Sequence, residues 1–152
     1  MNGTLESAKG ELKRADHLIF VSLKYTRTCD VIKHVIERLI NCLDFIFTAV
    51  LEEGKEKGTI KEVPQAPIQK ALLMKELFAD DDRVSEFADF YLHLRKINKA
   101  EFSRESEFRR HVTMTVVLGD DEIVKIDIDT ITSYFKKTND FFAYVCGTFF
   151  PS

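Results

Sequence analysis

The stretch from Thr28 to Glu53 constrains the fold more than any other part of the sequence, because it keeps one periodicity throughout. At the helical step of about 100° per residue, its apolar side chains fall on one half of a cylinder and its polar ones on the other. The apolar half holds Val31, Ile32, Val35, Ile36, Leu39, Ile40, Cys42, Leu43, Ile46, Phe47, Ala49 and Val50. This stripe is too wide for one partner, so we expect a central helix packed against two or three others.

A first helix is predicted to precede the central one. A seam of apolar and small residues runs along it, namely Leu5, Ala8, Leu12, Ala15, Ile19 and Ser22. We expect Thr4 to cap its start and Thr28 to cap the central helix, because a side-chain oxygen before a helix can accept a free backbone N–H. The β-branched interruption at Tyr25 to Thr28 then predicts a tight turn between two long antiparallel helices.

Two further helices are predicted after a charged, glycine-containing connection from Lys55 to Ala66. Pro67 suits the first position of the third helix. One aspartate of Asp80 to Asp82 is predicted to cap the fourth helix, whose end the pattern leaves open between Asn98, Phe102 and Phe108. The sequence therefore predicts a four-helix bundle core.

The periodicity changes after the fourth helix. Between His111 and Ile128, two runs of alternating apolar residues flank a turn, which predicts a β-hairpin over about 111–128. A C-terminal helix is predicted over about 129–146, capped by Asp129 and ended by Gly147. We thus expect a mainly α fold, with the hairpin and this helix added to the bundle in a single domain over 1–152.

Composition sets limits on location and cofactors. The chain has 152 residues, 45% of them hydrophobic, with a net charge of −3. Three widely spaced cysteines, Cys29, Cys42 and Cys146, predict reduced thiols, and no motif predicts a metal or another cofactor. No apolar run approaches the roughly 20 residues needed to span a bilayer, so we expect a cytoplasmic protein without a membrane partner.

One segment is basic although the chain is acidic. Residues 95–110 hold six cations and three anions, a local charge of +3 against −6 elsewhere. Two arginines are followed by a histidine seven positions later, giving the pairs Arg27 with His34 and Arg104 with His111. A histidine base and a cation beside a phosphate are the groups that RNA cleavage needs.

The helical hairpin, the two further helices and an arginine followed by a histidine resemble the HEPN (higher eukaryotes and prokaryotes nucleotide-binding) superfamily of dimerising helical bundles. This resemblance implies that Arg104 and His111 would be the catalytic pair of a metal-independent endoribonuclease, with Lys99, Arg109 and Arg110 binding RNA. Inert members of the family are assembly domains or partners of nucleotidyltransferases. Glu105 departs from the polar Asn, Asp or His that active members carry after the arginine, and the hairpin lies outside the common bundle.

Several aromatic residues instead indicate assembly. Phe45 projects from the polar side of the central helix and needs cover from this chain or from another subunit. Phe20, Tyr144, Phe149 and Phe150 are further interface candidates. Our leading hypothesis is a non-catalytic interaction module, homodimeric through the first two helices, with the ribonuclease as the alternative.

Overall fold

The computed structural model describes residues 2–151, and over this part of the chain the fold is mainly α with one small antiparallel sheet. The helices are α1 (Gly3–His17), α2 (Cys29–Glu56), α3 (Pro67–Leu77), α4 (Asp82–Lys99) and α5 (Ile128–Phe149). The strands are β1 (Phe102–Glu105), β2 (Thr113–Leu118) and β3 (Glu122–Ile126). This architecture confirms the predicted fold class. Met1 and Ser152, the ends of the predicted domain, lie outside the described residues.

Helix α2 is the centre of the core, as its apolar stripe predicts. All twelve residues of the stripe except Val31 are buried, and Val31 packs against the same cluster. Thr28 caps the helix as expected, with its hydroxyl accepting the Val31 N–H at 3.4 Å. Helices α1, α3, α4 and α5 all pack against α2. Several partners are present because the apolar stripe of α2 is wider than one helix can cover.

The N-terminal arm continues beyond α1 through a π-helical turn, Leu18–Ser22, and a last helical turn, Leu23–Tyr25. Its cap is Asn2, which accepts the Leu5 N–H at 2.8 Å, whereas the predicted cap Thr4 donates its hydroxyl to Glu52 on α2. The π-helical turn spans five residues, and it is wider than an α-helical turn because its backbone hydrogen bonds join residues five positions apart. No pattern in the sequence predicts this change from α-helix to π-helix.

The predicted hairpin is present as β2 and β3, and the strand β1 joins it in the order β1-β2-β3. Met114, Val116 and Leu118 bury one face of β2. Helix α4 ends at Lys99, so an extension through Phe102 or Phe108 is wrong. Strand β1 was missed because three of its four residues are polar and exposed, which gives no alternation to detect.

The C-terminal helix begins earlier and ends later than predicted. Its cap is Asp127 and not Asp129, because the Asp127 carboxylate accepts the Thr130 N–H at 2.8 Å, a bond that lowers the pKa of this carboxyl group. The helix passes through Gly147 to Phe149, whose ring lies edge-on to Phe78 at 4.9 Å between centroids. Tertiary packing therefore overrides the glycine signal.

A core truncation in α2 tests the central role of this helix. Leu39 is fully buried, so Leu39→Ala should lower the free energy of unfolding by about 3 kcal/mol and the melting temperature by about 6 to 12 °C. Asn41→Ala, at an exposed position of the same helix, is the matched control and should change little. Differential scanning calorimetry measures both, and equal shifts would contradict the assignment.

Candidate functional site

Arg104 links the sheet to the start of α2. It lies in β1 opposite Met114, so its side chain is on the same face of the sheet as the buried Met114 side chain. Its guanidinium donates two hydrogen bonds to the Asp30 carboxylate, at 2.9 and 3.0 Å, and one to Glu107 at 3.2 Å. These contacts raise the pKa of Arg104 and lower the pKa of Asp30. A bidentate arginine–carboxylate contact fixes the orientation of the two side chains as well as their distance.

Glu107 completes this arrangement by capping α2. Its carboxylate accepts the Cys29 backbone N–H at 2.9 Å, at the end of the helix where free N–H groups and the helix dipole favour a negative charge. The Cys29 thiol donates to the Thr113 carbonyl at 3.3 Å, and burial raises the pKa of this thiol. We call Arg104, Asp30, Glu107 and Cys29 the Arg104 cluster.

An aromatic ring fills the space beside the cluster. The Arg104 guanidinium lies 4.9 Å from the centroid of the Phe102 ring, and the Lys33 ammonium lies 5.5 Å from it. Both distances suit a cation–π contact. Arg104 is therefore held by two carboxylates and a ring, and its charge is matched within the fold.

The other residues of the predicted ribonuclease site lie in two places. Arg109, Arg110 and His111 are all exposed in the connection between β1 and β2. Lys99 is the last residue of α4. The four-residue strand β1, whose length is on the order of 13 Å, lies between it and the loop. The structure thus groups three of these residues in one loop and separates Lys99 from them. No hydrogen bond joins Arg104 to His111 among residues 2–151.

This loop also contacts the turn between α1 and α2. The backbone N–H of Phe108 donates to the Arg27 carbonyl at 2.7 Å. Sequence analysis missed Asp30 and Phe108 as partners of this region, because contacts across 74 or more residues leave no local pattern. The pairing of Glu107 with Arg104 is different, because a spacing of three residues is visible in the sequence.

Four of the five predicted interface aromatics are partly covered by this chain. Phe45, Tyr144, Phe149 and Phe150 are half-buried and pack against the core, and the Tyr144 hydroxyl donates to Asp81. Phe20 keeps 48% of its surface exposed. Only Phe20 of this set remains a largely open apolar side chain.

The described part of the chain holds neither a metal-binding group nor a membrane-spanning helix. No group of three or more His, Cys, Asp or Glu side chains there is placed to hold a metal ion. No helix in residues 2–151 has the length and apolarity needed to cross a membrane. Cys29, Cys42 and Cys146 are all free thiols.

Removal of the Arg104 guanidinium tests the cluster. Arg104→Gln should lower the melting temperature and speed hydrogen exchange at the Phe108 and Cys29 amides, because Glu107 and Asp30 lose their partner. The lowered pKa of Asp30 makes its contribution present at neutral pH and lost in acid. The difference from the unaltered protein should therefore shrink below about pH 4.

The matched control is Lys125→Gln, which removes a 3.8 Å ion pair with Glu105 on the other face of the sheet. This exposed pair should contribute little. Equal effects of the two substitutions on amide exchange would contradict the role of the Arg104 cluster.

Comparison with known proteins adds no family to these observations. No protein-family model matches the chain, and no curated protein or solved structure matches it significantly. The HEPN resemblance stays a prediction from the sequence. Function therefore has to be argued from the residues themselves.

Proposed function

We propose that this chain is a non-catalytic helical interaction module that associates with a second copy of itself. The observation that carries the proposal is the exposure of two neighbouring apolar side chains on the π-helical turn, Phe20 at 48% and Val21 at 41%. Ile19 beside them is buried at 5%, so the turn contributes to the core and also presents apolar surface. Such surface is typical of a contact with another protein.

The apolar surface continues from the turn onto α5. The Phe20 ring lies edge-on to Phe135, with 6.1 Å between centroids. A groove of about 280 Å³ runs beside Phe135 between α1 and α5, lined by Leu12, Phe135, Phe142, Lys9, Lys13, Asp16 and Asn139. Apolar side chains surrounded by polar ones are the usual anatomy of a protein interface.

The charges in this groove suit a two-fold contact between copies. Lys13 and Asp16 lie in the same rim, so a two-fold axis that passes between them would place each opposite its complement on the other copy. The proposed interface therefore uses α1, the π-turn and α5. It differs from the expected pairing of the first two helices because Phe45 of α2 is half-buried against its own core.

The oligomeric state tests this proposal. The unaltered protein should have the mass of a dimer by light scattering at micromolar concentration. Phe20→Asp should raise the dissociation constant at least about tenfold, because it places a charge in the centre of an apolar contact. Leu72→Asp is the matched control: Leu72 is 45% exposed on α3, away from the proposed interface, and its substitution should leave the dimer intact.

A monomeric mass for the unaltered protein at every concentration would overturn the dimer. Equal loss of the dimer in both variants would show that added charge, and not the Phe20 surface, is responsible.

The second candidate is the metal-independent endoribonuclease. It is favoured by the presence of exposed Arg109, Arg110 and His111 in the loop that follows Arg104. To bind a phosphate, Arg104 would have to exchange Asp30 and Glu107 for it, which makes this the lesser candidate. The resemblance also implies a nucleotidyltransferase as a possible class of protein partner, which the interaction module could serve.

Cleavage of RNA in the presence of a chelator separates the two candidates. Under the ribonuclease, His111→Ala should lower the cleavage rate by about 10²-fold or more with the fold intact by circular dichroism. His17→Ala, at an exposed position on α1, is the control. An unaltered protein without cleavage, or equal loss in both variants, removes this candidate.

A further inference from the structure

Two segments meet at the end of the molecule where α2 begins. One runs from Lys24 to Arg27 and includes the end of the helical turn Leu23–Tyr25, and the other is the β1–β2 connection from Ser106 to His111. The hydrogen bond from the Phe108 N–H to the Arg27 carbonyl joins them at 2.7 Å. We call these two segments the loop tip.

The loop tip carries the two most exposed large apolar side chains of the described residues. Tyr25 is 83% exposed and Phe108 is 75% exposed. Neither ring is buried in the core, so neither contributes much to the stability of the fold. Both lie within a few residues of the hydrogen bond that joins the loops, which makes them neighbours in space.

The backbone around Phe108 is strained as well as exposed. Ser106 and Phe108 have φ values of 55° and 66°, in the left-handed region that a bulky residue rarely adopts. Turn hydrogen bonds hold this shape, from Arg109 N–H to Ser106 and from Val112 N–H to Arg109. A strained aromatic residue that is held out into solvent is a feature typical of binding sites.

The charge of the loop tip is positive. Lys24, Arg109 and Arg110 are exposed, and Arg27 is half-buried. Arg104 pairs with Asp30 and Glu107, and Lys125 pairs with Glu105, so these three carboxylates leave one negative charge against the four cations of the tip. The cations at the tip therefore favour an anionic partner.

We infer that the loop tip docks on an anionic phospholipid surface. At 75% and 83% exposure neither ring packs against the core cluster, which suits insertion into a headgroup layer that surrounds the ring. A stacking platform for single-stranded RNA instead supports one face of each ring against the protein. Lys24 precedes Tyr25 and Arg109 follows Phe108, so each ring has a cation next to it at headgroup level.

Such a contact is peripheral. Two loops that enter the headgroup layer need no helix that spans the bilayer. The inference therefore revises the expectation of no membrane partner, which was based on the lack of a spanning segment. It does not depend on the proposed dimer, because Phe20, Val21 and Phe135 have no part in it, although Lys24 lies only four positions beyond Phe20.

The chain contains no tryptophan, so Phe108→Trp introduces a single tryptophan at the tip, which can be excited selectively over the four tyrosines. With phosphatidylserine-containing vesicles, its emission should shift to the blue and gain intensity, and added salt should reverse the change. Vesicles of phosphatidylcholine alone should leave the emission unchanged. No shift with the anionic vesicles overturns the inference. Quenching by polyuridylic acid without any shift on vesicles would assign the tip to single-stranded RNA instead.

Vesicle sedimentation of charge variants provides the second measurement. Each cation near an anionic surface contributes about fivefold to binding, so the double substitution Arg109→Gln and Arg110→Gln should weaken binding by about 25-fold. The matched control replaces two exposed lysines elsewhere, Lys96→Gln and Lys136→Gln. Equal weakening by the control pair would overturn a specific role of the tip.

A third variant removes the ring and keeps the backbone. Phe108→Asn retains a residue that tolerates the left-handed conformation, so the loop should keep its shape. Binding to anionic vesicles should fall at least tenfold while circular dichroism stays unchanged. Unchanged binding would overturn insertion of the Phe108 ring.

Discussion

The contact between Arg104 and Asp30 is the constraint on which the sheet end of the molecule depends. It joins residues 74 positions apart and fixes β1 to the first turn of α2. Glu107 shares the same guanidinium and also caps α2 through the Cys29 N–H. Buried residues such as Met114 and Ile126 anchor the sheet in the core, and this charged group adds a directional link between the sheet, the helix end and the loop between β1 and β2.

The helices were predictable because the information for them is local. The stripe of α2, Pro67 at the start of α3 and Thr28 as a cap each follow from residues a few positions apart. The Arg104 cluster could not be predicted in the same way. Asp30 looks like an ordinary acidic residue in a first helical turn, and only tertiary structure brings Arg104 to it. Strand β1 has too few apolar residues to show a period.

In the N-terminal arm, the sequence predicts a helix but not which of its apolar side chains are buried. Leu18 to Val21 is apolar on all sides, so one core cannot bury all four side chains. Periodicity does not indicate which of them stay exposed. The π-turn decides the question by burying Ile19 and exposing Phe20 and Val21. The same limit applies to Phe45, whose place on the polar side of α2 indicated a need for cover that its own chain largely supplies.

These structural roles bear on the choice between catalysis and interaction. If Arg104 bound a phosphate, it would release Asp30 and Glu107, and the loop that carries His111 would lose one of the contacts that position it. Catalysis by this pair would thus oppose the stability of its own site. Phe20 and Phe108 are different, because neither fills the core and both can bind a partner while the fold stays unchanged. Surfaces of this kind favour the proposed interaction module over the ribonuclease, and under that proposal Arg104 would help to hold the loop tip in place through Glu107.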